Sequence, residues 1–191
     1  NNSEDIPPFN YSHPPRNSTF WAHFQTWERD TREDTNHRRN EGTNGSSGTG
    51  RQQPDHQFPS EAAARQWLRQ AKVDYIAAEG FLPRAEIEPH FNWICFMCYQ
   101  CVEKVLKAMH YKKDCNNVPS SSDLNKLTIG LSTDINQMVR NMMSVVGTRE
   151  RMMYPDHINI SEIPADIFDR PTAERALDIA KEILEFAVDT L

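Results

Sequence analysis

HFNWICFMCYQCVEKVLKAM, residues 90–109, is the stretch on which the reading of this chain turns. Trp93, Phe96, Met97, Cys101, Val105, Ala108 and Met109 recur at three- and four-residue steps, the repeat of one face of an α-helix. The run has no Gly or Pro to break it, and Gln100, Glu103, Lys104 and Lys107 interrupt its apolar character too early for a membrane span. It predicts the central, most buried helix of an α-helical domain.

The same period extends outward. Upstream, Ser60 reads as an N-cap with Glu61 in the first turn, and Ala64, Trp67, Leu68, Ala71, Tyr75 and Ala78 form an apolar face that Gly80 and Pro83 end. Downstream, Pro119-Ser120-Ser121-Ser122 breaks the chain, and Ser122 or Asp123 caps a short turn carrying Leu124 and Leu127. A third long helix follows from about Thr133 to Val146 on Ile135, Met138, Val139, Met142 and Val146, with Gly147 as its C-terminal cap. After a loop holding Pro155 and Pro164, a final helix begins near Pro171 and buries Ala173, Ala176, Leu177, Ala180, Ile183, Leu184, Ala187, Val188 and Leu191. No segment alternates long enough for a strand. The expected fold is all-α, an up-down bundle of four to five helices over residues 60–191.

Residues 1–59 are of another composition. Residues 40–59, NEGTNGSSGTGRQQPDHQFP, cannot offset their ordering entropy by burial and read as linker. One aromatic stretch, Phe20 to Trp27, places Phe20, Phe24 and Trp27 at helical spacing and predicts a short helix near 19–30, either a docking helix or a segment packed on its neighbours. The chain does not begin with Met, which suggests a fragment of a longer protein.

Charge narrows the function. The net charge is −6, with 8 acidic and 6 basic residues in 1–59 and 19 against 15 thereafter, so neither part carries the basic footprint of a strong nucleic-acid binder. The opening NNSEDIPPFN lacks a signal-peptide pattern, and no apolar run is long enough to span a bilayer, so a cytoplasmic or nuclear location without membrane contact is expected. Cys95, Cys98, Cys101 and Cys115 are expected as free thiols. On a helix, a Cys-x-x-Cys-x-x-Cys spacing does not close a metal cage, and small buried hydrophobes fit it better; no metal is expected.

Three patterns now stand in order: Ala71-Lys72-Val73-Asp74-Tyr75 in the first helix, Cys98 through Ala108 in the second with Glu103-Lys104-x-x-Lys107-Ala108, and Tyr154-Pro155-Asp156 after the third. Together they resemble the HEPN family in its sacsin-like form, which Arg65 through Ala71 and Phe24-Gln25-Thr26-Trp27 also match, so the likeness extends over nearly the whole chain. Two departures are plain. Ser122-Asp123-Leu124 stands where the family has His-Asp-Leu, and Arg151 lies further from Tyr154-Pro155-Asp156 than the family's arginine does. The resemblance implies a homodimer with a nucleotide-binding groove, holding GTP or ATP, in a large co-chaperone that meets the heat-shock machinery through an upstream J domain.

A nucleotide needs cations for its phosphates and an apolar wall for its base. Arg65, Arg69, Lys104, Lys107, Arg149 and Arg151 are the candidates. Lys104 and Lys107 share one face of their helix, as do Arg65 and Arg69, and Lys104 has the strongest family match. Any one of these could instead be an ordinary solvated charge. The resemblance also brings a catalytic alternative, since HEPN toxins use Arg-x(4–6)-His and Arg151-x5-His157 fits a metal-independent ribonuclease, although Pro155 falls inside the motif. A third reading is a protein-interaction module without nucleotide, using the aromatic leader and the loop methionines Met152 and Met153.

Overall fold

The structure is a computed structural model that describes residues 57–86 and 90–191, with side chains for 60–85 and 90–191. These belong to the compact unit Gln52–Leu191. The aromatic stretch near 19–30, the linker and the leader lie outside the described residues.

Among the described residues six helices are formed: α1 Gln57–Phe81, α2 Phe91–Lys113, α3 Leu124–Leu127, α4 Thr133–Val146, α5 Pro164–Ile167 and α6 Arg170–Thr190. Short 3-10 turns occur at Arg84–Glu86, Glu150–Met152 and Pro155–His157. Among the described residues there is no strand, in agreement with the all-α expectation. The caps expected at Asp123 and Gly147 are in place, and Ser132 and Asp169, not singled out in the sequence, cap α4 and α6 by the same local chemistry. Asp123 accepts from the Asn125 amide at 3.0 Å, Ser132 from Ile135 at 3.4 Å and Asp169 from Thr172 at 2.9 Å, while Gly147 closes α4 with φ of 74°. The start of α1 differs from expectation, lying at Gln57 and not at Ser60. Pro59 is its third residue, where the backbone N–H would have no intrahelical acceptor, so proline there costs no hydrogen bond.

α1 and α2 pack antiparallel. Lys112 meets Glu61, Lys107 and Tyr111 meet Trp67, and Lys104 meets Asp74, so partners move down one helix as they move up the other. α3 and the start of α4 are tied to the far end of α2, where His110 Nε2 lies 2.8 Å from the Leu127 carbonyl and Lys113 donates to Gly130 O at 2.7 Å. The chain then returns through α4, and Asn92 donates to the Met152 carbonyl at 3.1 Å, which places the Glu150–Met152 turn at the beginning of α2. α6 starts at that same end, its cap Asp169 close enough to raise the Cys95 pKa further after burial has done most of the work. The four long helices therefore run up, down, up and down, with α2 in contact with both α1 and α6.

Leu106, Leu124, Leu127, Ile135, Met142, Ile183 and Leu184 are fully buried, each contributing on the order of 1.5–3 kcal/mol on leaving water. On α2 the expected Cys101, Val105, Ala108 and Met109 are buried, and the departure from the sequence reading lies in the first half of the helix. Its buried side chains include Ile94, Cys95, Cys98, Tyr99, Val102 and Leu106, whereas Trp93 is 47% exposed and Phe96 and Met97 are half-buried. That first half is apolar on nearly every face, so periodicity fixed its length but not its orientation. One other expectation also changes: Met152 is fully buried and so offers no interface. His110, near the end of α2, is buried against the Leu127 carbonyl.

Candidate functional site

The second half of α2 carries its chemistry on the side facing α1. Glu103, only 6% exposed, accepts from Lys107 Nζ at 2.8 Å, Gln100 Nε2 at 3.1 Å and Ser122 Oγ at 3.1 Å. Three donors offset the cost of burying its charge. Lys104 Nζ is 2.6 Å from Asp74 Oδ2 and donates to Gln100 Oε1 at 3.1 Å. Asp74 Oδ2 is itself buried without a well-directed hydrogen bond, so Lys104 holds it chiefly by charge, while Gln70 Nε2 serves Oδ1 at 2.9 Å. The pair crosses from α1 to α2 and sets their register.

One turn on, Lys107 lies 5.1 Å from the centroid of the Trp67 ring, and Trp67 stacks on Tyr111 at 6.0 Å and 21°. Next come Lys112 and Arg65, at 2.9 and 3.5 Å from Glu61. The result is a strip in which two flat aromatic rings are framed by Lys107, Lys112 and Arg65. Arg69 follows Arg65 by one turn on the exposed side of α1. Such a strip can do what a nucleotide site requires, stacking a base on Trp67 and Tyr111 and attracting phosphates with the surrounding cations. Tyr111, Lys112 and Trp67 were not singled out as ligand residues in the sequence. The signal for them is the antiparallel register of two helices, which no local motif carries.

Of the expected cations, Lys107 and Arg65 thus lie on this strip and Lys104 pairs with Asp74 one turn before it, each already held by a carboxylate that an anion would have to displace. Arg149 and Arg151 do not join them. Their turn is anchored on Asn92, twelve residues from Lys104 and so about 18 Å away along the α2 axis. The Arg151 guanidinium lies over the Phe168 ring at 5.9 Å. His157 is exposed in the next 3-10 turn, with the Tyr154 ring 6.4 Å from its own.

The remaining titratable groups are core. Burial pushes the Cys95 thiol up to about 12 and raises Cys98 and Cys101 as well. Cys95, Cys98 and Cys101 are fully buried and Cys115 is half-buried, all four as free thiols. Among the described residues no three His, Cys, Asp or Glu side chains are grouped to hold a metal, and no helix is long and apolar enough to cross a membrane.

Comparison with known proteins places this geometry. A family profile described as HEPN domain matches residues 64–191. The chain is 29% identical over 124 residues to sacsin of Homo sapiens, a match that takes in 60% of this chain and 2% of that much longer relative. Among solved structures, the crystal structure of TT1696 from Thermus thermophilus is similar with a TM-score of 0.57 and 29% identity, covering 67% of this chain and 98% of that one.

Proposed function

The chain belongs to the HEPN domain family, and from that premise we propose that it is a non-catalytic module that self-associates and binds a nucleotide within a sacsin-like, cytoplasmic co-chaperone bearing a J domain. The observation that carries the reading is the outer face of α2. Trp93 and Phe96 form an edge-to-face pair at 5.8 Å and 88°, yet Trp93 is 47% exposed. Phe81, at the end of α1 and therefore at this same end of the hairpin, is 38% exposed. Aromatic side chains that a single chain leaves in water are the usual anchors of a subunit interface, and an isologous pair would bury each copy's set against the other's.

The nucleotide part rests on the Trp67–Tyr111 strip, with GTP or ATP as ligand. The test is light scattering of the 191-residue chain across micromolar concentrations, together with calorimetric titration of each nucleotide. The dimer reading expects twice the chain mass, falling to the single mass in Trp93→Ala, and a single mass throughout overturns it. The nucleotide reading expects saturable heat that is lost in Trp67→Ala and weakened in Lys104→Ala; no heat from the folded chain overturns it.

A ribonuclease built on Arg151 and His157 is the second reading, favoured by the exposure of both side chains on consecutive turns. RNA cleavage lost in His157→Ala would establish it. An interaction module without nucleotide remains for the outcome in which the dimer forms and no heat is seen.

A further inference from the structure

The opposite side of the α2 C-terminus faces α3 and the loop of residues 114–123, and there an open pocket of about 580 Å³ is formed. Lys113, Lys126, Asn117, Ser120 and Ser121 line it, with Asp114 at its edge and Ile129, 72% exposed, as an apolar wall. Its charges are not balanced internally. Lys113 donates to the Gly130 carbonyl, and the Lys126 ammonium makes no hydrogen bond or ion pair among the described residues. Asp114 is occupied by the Asn116 amide and the Asn117 side chain, and those bonds hold its carboxyl below the usual range. Two ammonium groups therefore face one committed carboxylate.

The loop serines divide by role. Ser122 bonds to Glu103 and gives its carbonyl to Tyr99, and Ser121 caps the Asp123 amide. Ser120 is exposed and its hydroxyl has no partner among the described residues. Asp123 stands three positions after it, the acidic residue that acid-directed serine kinases read.

We propose that this pocket holds a phosphoryl dianion between Lys113 and Lys126, supplied by phosphorylation of Ser120 or by a free phosphate-bearing small molecule. Either source brings close to two negative charges and three acceptor oxygens to lysines that lack an acid. On Ser120, the phosphoryl group of ATP passes to the hydroxyl oxygen with ADP leaving and the hydroxyl proton released, and the new ester would fasten the 114–123 loop to the end of α2. The site lies across α2 from the Trp67–Tyr111 strip and does not depend on the nucleotide or dimer readings.

Thermal unfolding of the 191-residue chain separates the sources. One arm adds inorganic phosphate against sodium chloride of equal ionic strength, and the other uses chain carrying phosphoserine at position 120. Each arm is repeated in Lys126→Ala, an exposed substitution remote from the core. A rise of about 3 °C with phosphate, absent in Lys126→Ala, identifies a free ligand. A similar rise on modification, again dependent on Lys126, identifies Ser120. No rise in either arm, or an equal rise in Lys126→Ala, overturns the proposal.

Discussion

The two halves of α2 solve opposite problems on one helix. Residues 91–102 are packed with Ile94, Cys95, Cys98 and Val102, carry no charged side chain, and leave their surplus apolar surface at Trp93 in water. Residues 103–113 bring Glu103, Lys104, Lys107, His110, Lys112 and Lys113 into the same bundle, and those nearest the core are bonded to a carboxylate, a carboxamide or a carbonyl. The first half gains stability from burial without direction, so its surplus can be given to a partner. The second half is directional, and each of its contacts depends on a particular neighbour. Undirected apolar packing and directed polar contacts are thus separated along about 30 Å of one element.

Three measurements bear on that contrast. The largest difference lies in thiol reactivity. With Cys95 raised to about 12 from the ordinary 9.0, its thiolate is about a thousandfold scarcer at any pH below both values, and burial blocks access besides. A maleimide probe on the native chain is expected to label Cys115 alone, and rapid labelling of a second thiol would break the picture of a sealed first half.

In the second half, Glu103→Ala strands Lys107 and removes the acceptor of Gln100 and Ser122, with an expected loss of about 3 kcal/mol in urea unfolding. A loss below about 1 kcal/mol would show that the charged half is held by shape and not by its pairs. A smaller effect falls at the boundary. Tyr99 donates to the Ser122 carbonyl at 2.9 Å and receives the Leu124 amide at 3.4 Å, and Tyr99→Phe is expected to cost about 1–2 kcal/mol by leaving both groups short of a partner. No change there would mean that water replaces the hydroxyl.

The contrast also explains what could be read from the sequence. Lengths, caps and order were legible because they are local: Asp123 bonds two residues away, Ser132 and Asp169 three. The α4 and α6 faces were legible because each has one clear apolar stripe, Ile135-Val139-Met142-Val146 and Ala176-Leu177-Ala180-Leu184. On α2 the second-half face of Cys101, Val105, Ala108 and Met109 was read correctly. The reading failed only in the first half, where Trp93, Phe96 and Met97 look as apolar as Ile94, Cys95 and Cys98 and only the positions of α1 and α6 choose between them. Candidate ligand residues were legible as residue types and not as sets. Lys104 and Lys107 were found, but the pairing of Lys104 with Asp74, the seat of Lys107 over Trp67 and the stacking of Trp67 on Tyr111 depend on a register between segments thirty or more residues apart. The 580 Å³ pocket, formed where residues 110–129 fold back on themselves, has no sequence signature of its own.

The up-down order sets a timetable as well as a shape. α1 and α2 are neighbours in the chain and can close on each other soon after both are synthesised, whereas Arg170 at the head of α6 follows Lys113 by more than fifty residues. Until α6 leaves the ribosome, the side of α2 that ends at Cys95 has no permanent cover, and a thiol that is inert in the finished domain passes through an interval of exposure to oxidants and to other nascent chains.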